Sequence, residues 1–71
     1  MSDQEVEHLV HMANDIARNL SFNANAEHMI RDHLTRFWAP TMRQMLAAHV
    51  AQGGSGLSDL AMQAVKGMEP A

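Results

Sequence analysis

From Val6 to Leu20, apolar residues recur at three- and four-residue steps through Leu9, Val10, Ala13, Ile16 and Ala17, which lays them along one face of a 3.6-residue helix. The start of this helix is marked. Ser2 with Glu5 three residues later fits a capping box, and Met1 and Val6 take the positions of a hydrophobic staple. The pattern stops at Ser21-Phe22-Asn23-Ala24-Asn25, whose serine and asparagines bond their own backbone and favour turns, so Asn23 or Asn25 is expected to cap the next helix. A second stripe then places Ala26, Met29, Ile30, His33, Leu34 and Phe37 inward, with Trp38 at its edge.

Proline lacks a backbone N–H and disfavours the helical region for the residue before it, yet fits the first position of a new helix. The chain is therefore expected to break at Ala39-Pro40, with a kinked continuous helix as the alternative. A third stripe presents Met42, Met45, Leu46, His49 and Val50 before Gly53-Gly54-Ser55-Gly56 stops it. Ser58 can cap a short fourth helix with Leu60, Ala61, Ala64, Val65 and Met68 inward, ending at Gly67 and Pro70. The prediction is an all-α fold over 1–71, a small bundle of three to four short helices (about 3–21, 25–38, 40–52 and 58–67) with a helical hairpin broken at Ala39-Pro40. No strand, internal repeat or low-complexity tract is predicted.

Composition narrows the class. A chain of 71 residues has room for one small core, expected to supply roughly 3–5 kcal/mol. There is no cysteine, which excludes disulfides and thiolate metal sites. The N-terminus Met1-Ser2-Asp3-Gln4-Glu5 is acidic, without the basic and apolar regions of a signal peptide, and no apolar run is long enough for a bilayer. A cytoplasmic location is expected. A net charge of -3, with Arg18, Arg31, Arg36, Arg43 and Lys66 spread along the chain, argues against nucleic acid and against an anionic membrane surface. A helix-turn-helix reader would concentrate basic and amide side chains on its recognition helix, which neither the second nor the third helix does.

Candidate chemistry is sparse. His8, His11 and Asp15 share the polar side of the first helix but fall short of the four ligands of a structural zinc site, so a solvated face is the expectation and no metal site is assigned. His33 and His49 lie inside apolar stripes; if the second and third helices run antiparallel, the two come level across the hairpin as satisfied core or interface histidines. Their neighbours are mostly Met, Leu and Phe, which supply neither nucleophile nor polar pocket, and no catalytic residue is assigned. Of the seven methionines, Met29, Met42, Met45 and Met68 are expected to fill the core, while Met12, at the margin of its stripe, is a candidate for an external contact.

The densest cluster is Arg36-Phe37-Trp38-Ala39-Pro40-Thr41-Met42-Arg43, which gathers two of the three aromatics and two of the four arginines at the proline corner. Trp and Arg are enriched at binding hot spots, so Arg36, Phe37, Trp38, Pro40 and Arg43, with Met12, are the candidate partner-binding residues. Trp38 and Arg43 are the expected anchor. The competing reading is that Trp38 closes the hairpin core.

Three blocks, His8-Leu9-Val10-His11-Met12-Ala13-Asn14-Asp15-Ile16, Phe37-Trp38-Ala39-Pro40-Thr41-Met42-Arg43 and His49-Val50-Ala51-Gln52-Gly53-Gly54-Ser55-Gly56-Leu57, together resemble the delta subunit of the soluble NAD-dependent, molybdenum- or tungsten-containing formate dehydrogenases. The chain departs from the family pattern at Leu20-Ser21-Phe22, where Phe-Phe often ends the first helix, and at Ala39, where an acidic residue is common. The resemblance implies an accessory subunit, with no cofactor and no active site of its own, that supports assembly, maturation or stability of the complex. It places the molybdenum or tungsten pterin and most iron–sulfur clusters in the alpha subunit, FMN and NAD binding in beta and a further cluster in gamma. Alpha is the first expected partner, with beta or gamma as alternatives. An unrelated small helical protein-binding adaptor is the rival reading, distinguished by having no formate dehydrogenase genes beside its own.

Overall fold

The computed structural model describes residues 2–68 and gives four helices, α1 (Ser2–Leu20), α2 (Ala26–Phe37), α3 (Pro40–Ala51) and α4 (Asp59–Lys66), with no strand among the described residues. The all-α class follows from the three amphipathic stripes and from α3, and the helix limits fall within one residue of those predicted. The Ser2–Glu5 box and the Met1–Val6 staple involve residues and side chains outside those described. No helix among the described residues is long and apolar enough to cross a membrane.

At 1.5 Å per residue α1 is about 28 Å long, against a longest dimension of 36 Å for the molecule. It lays Leu9, Val10, Ala13 and Ala17 into the core, against Ile30 and Leu34 of α2, Leu46 of α3 and Ala61, Ala64 and Val65 of α4. Ala13, Ala61 and Ala64 are wholly buried, so the backbones of α1 and α4 come close to their neighbours while Ile30, Leu34 and Leu46 fill the wider gaps. Met42, Met45 and Met68 pack against this core as expected. Met29 does not; it is 37 % exposed on the flank of α2.

The break at Ala39-Pro40 is present. Trp38 (φ −90°, ψ 142°) and Ala39 (φ −64°, ψ 149°) are both extended, and Pro40 opens α3 at its first turn. Two extended residues carry the chain about 6.6 Å between the two helices. Around this break α2 rests chiefly on α4 and α1, and α2 and α3 touch each other least. His33 and His49 find separate partners. The His33 ring stacks on Phe37 at 4.8 Å between centroids, and His49 Nε2 donates to the Ser55 carbonyl at 2.7 Å.

The helix ends are closed by identifiable groups. Asn25 occupies the N-cap position of α2 but makes no side-chain cap bond; Asn23 instead turns back, its Nδ2 donating to the Leu20 carbonyl at the end of α1. At the end of α3, Gly53 N–H donates to Val50 O and Gly54 N–H to His49 O, the paired bonds of a Schellman motif, with Gly53 (φ 121°) and Gly54 (φ 66°) in the positive-φ region that a side chain would disfavour. Ser58 caps α4 as expected, its Oγ accepting from Ala61 N–H at 3.2 Å.

Candidate docking surface

The corner Arg36–Arg43 divides into a packed half and an open half, and the division reverses the roles expected of its two aromatics. Ala26, Ile30, Leu34 and Phe37 follow one another by four, four and three residues, so helical phase points Phe37 inward. The helix ends there. Trp38, released into extended backbone, swings into the core and is only 6 % exposed, which leaves Phe37 71 % exposed beyond the end of the core. The competing reading of the sequence, in which Trp38 closes the core, is therefore the one the structure takes.

Arg43 is also turned inward. Its Nη1 donates to the Thr35 carbonyl at 3.0 Å and the Trp38 carbonyl at 2.8 Å, satisfying acceptors that the end of α2 leaves without intrahelical donors. The expected anchor pair thus fastens the corner itself. Arg36 remains at the surface, 3.1 Å from Asp32 on its own helix, and Pro40 is exposed at the first turn of α3. Met12 is half-buried and packs against the core.

What the corner presents outward is an aromatic platform. The exposed Phe37 ring is tilted by 47° against the half-buried His33 ring, with exposed Met29 one turn further along the same flank of α2. Phe22, in the turn before α2, is a further exposed aromatic at 91 %. Such a surface can bind by apolar contact and ring stacking.

On α1, His11 Nε2 lies 3.7 Å from Asp15, whose other carboxylate oxygen is held by Arg18 at 2.7 Å. Among the described residues no group of three His, Asp or Glu side chains is placed to hold a metal ion.

Two polar contacts that escape sequence reasoning hold the frame behind the corner. Asn14 uses its amide as a peptide would, donating from Nδ2 to Gly56 O at 2.9 Å and accepting from Ser58 N–H at 2.9 Å, which ties α1 to the loop that starts α4. The partners are more than forty residues apart in the chain; the only local signal is a polar side chain at the margin of an apolar stripe. Arg31 reaches from α2 to the end of α4, its Nε donating to Ala64 O at 3.1 Å while its Nη2 bonds Glu27 at 2.6 Å. Gly67 makes room for that guanidinium, which a β-carbon at the position would strike.

Residues 8–65 match the family model described as NADH-dependent formate dehydrogenase delta subunit FdsD. The chain matches no curated protein and no solved structure. The matched span takes in the Asn14 clamp, the Phe37 corner and the glycine loop, and with most of the 71 residues inside it the chain belongs to the FdsD family of NADH-dependent formate dehydrogenase delta subunits.

Proposed function

We propose that the chain is a non-catalytic accessory subunit that docks on a formate dehydrogenase complex through the Phe37 face of its corner, with the alpha subunit as first partner and beta or gamma as alternatives, and supports assembly, maturation or stability of the enzyme. The observation that carries this reading is Phe37, exposed at 71 % at the end of α2 and backed by the His33 ring. An aromatic side chain has few torsions to lose on binding, which favours it as an anchor. Membership of the delta-subunit family supports a partner within the formate dehydrogenase complex.

The side chains support the absence of an active site in this subunit. His33 is stacked on Phe37, His49 is committed to a carbonyl, and without cysteine the chain offers no thiolate to an iron–sulfur cluster. In this reading the molybdenum or tungsten pterin, the iron–sulfur clusters, FMN and NAD all belong to the other subunits, and the complex is cytoplasmic.

The test is co-purification with co-expressed alpha, beta and gamma subunits. Phe37→Ala is expected to lower recovery of the partner by an affinity loss worth about 2 kcal/mol, with the helicity of the free chain kept. Wild-type recovery by a folded Phe37→Ala chain would remove the corner from the interface.

A further inference from the structure

A second surface lies between α1 and α3. The helix α3 turns Leu46 into the core with Met42, Met45 and Val50 half-buried against it, and leaves Ala47, Ala48 and Ala51 exposed. Beside it lies an open groove of about 620 Å³ between Val6 and Val10 of α1 and Met45 and Ala48 of α3, with the polar His49, Gln52 and Ser55 also in its lining. Open to solvent, it suits a docked segment better than an enclosed small molecule.

Charge identifies the occupant. Arg18, Arg31 and Arg36 are each paired with a carboxylate on their own helix, Asp15, Glu27 and Asp32, and Arg43 is spent on backbone carbonyls. Glu7, on the rim of the groove, and Glu5 beside it have no cationic partner among the described residues. A second copy of this chain fits poorly, because a two-fold contact through the groove would bring the Glu7 rims of both copies into one interface.

We propose that this groove seats an amphipathic helix of a formate dehydrogenase subunit, its apolar side on Val6, Val10, Met45 and Ala48 and a lysine or arginine at its end beside Glu7. The proposal rests on the accessory-subunit reading but not on the Phe37 corner. Apolar anchors at helical spacing supply the affinity of such a seat and the ion pair at the rim sets its direction.

Photo-crosslinking in the co-expressed complex tests it. A benzophenone amino acid is placed at Ala48 in one variant and at Phe37 in another, and the captured peptides are mapped by mass spectrometry. The expected result at position 48 is a segment of one subunit with apolar residues at three- and four-residue spacing and a Lys or Arg at one end. Glu7→Lys should cut that capture at least about fivefold, and Glu7→Gln by less, in chains of wild-type helicity. Capture at position 37 with none at 48 overturns the groove and leaves the corner standing; capture at 48 alone does the reverse. A crosslink at 48 to another copy of the chain, to an acidic or non-helical segment, or insensitivity to Glu7→Lys overturns the assignment, and capture at neither position overturns both readings.

Discussion

The eight-residue α4 buries Ala61, Ala64 and Val65, whereas the twelve-residue α3 buries only Leu46. The shorter helix is the more embedded one, and the way their ends are finished explains why. Helix α3 closes itself locally, with Pro40 at its first turn and the Gly53–Gly54 motif at its last. Helix α4, too short to persist alone in water, is completed by other helices. Asn14 of α1 bonds Ser58 at its N-cap, and Arg31 of α2 takes the Ala64 carbonyl near its end. The contrast teaches a division of labour: α4 is pinned by its neighbours and sinks its small residues into the core, while α3 packs through Leu46 with Met42, Met45 and Val50 half-buried and leaves its alanines outside.

The strongest way to break that contrast is Ala64→Gln. Ala64 is wholly buried on the helix that makes its most extensive contact with α2. The longer side chain costs about 1–3 kcal/mol for overpacking, and its amide, buried without partners, about 1–3 kcal/mol more. Against a total of roughly 3–5 kcal/mol for a core of this size, the free chain is expected to be unfolded by circular dichroism. A folded chain with an unchanged urea midpoint would show that α4 is not pressed into the core as described.

A smaller effect is expected at the far end of α4. Arg31→Ala leaves the Ala64 carbonyl short of a donor, at about 1–2 kcal/mol. Its ion pair with Glu27, partly exposed, adds at most a few tenths of a kcal/mol. The guanidinium and Gly67 occupy adjoining space, so Gly67→Ala should destabilise the wild-type chain and do much less harm once Arg31 is gone. Urea midpoints of the two single variants and the double variant measure that coupling. Strict additivity would mean that Arg31 does not lie over the end of α4.

How much of this was legible in the sequence follows the range of the physics involved. Pro40, the glycines at 53 and 54, and Ser58 act on bonds within a few residues of themselves, and the helix limits they imply stand within one residue. Helical phase puts Phe37 inward and Trp38 at the edge because phase arguments assume that the helix continues. At its last residue the phase is lost, and one extended residue is enough to send the tryptophan inward and leave the phenylalanine outside. The sequence makes Arg43 part of an anchor but does not show which acceptors hold it, because Thr35 and Trp38 O become available only once the corner has folded. That α2 rests chiefly on α4 and α1 is not local information either: a break can be located from local signals, but the partners of each helix are set by what it finds to pack on. Asn14 and Arg31, whose bonds to Gly56 and Ala64 join different helices, lie beyond any local pattern.

The smallest expected effect sharpens the comparison from the α3 side. Ala47→Gln makes the same chemical change as Ala64→Gln, on a helix of similar character, at an alanine that faces solvent and lies outside the groove lining. Glutamine keeps good helix propensity and its amide stays hydrated there, so the free chain should lose no more than about 0.5 kcal/mol. The same substitution therefore separates the two helices by nearly the whole stability of the chain. A urea midpoint for Ala47→Gln that falls as far as that of Ala64→Gln would mean that the outer face of α3 is packed in the free chain, and the idea of an open helix awaiting a partner would go with it.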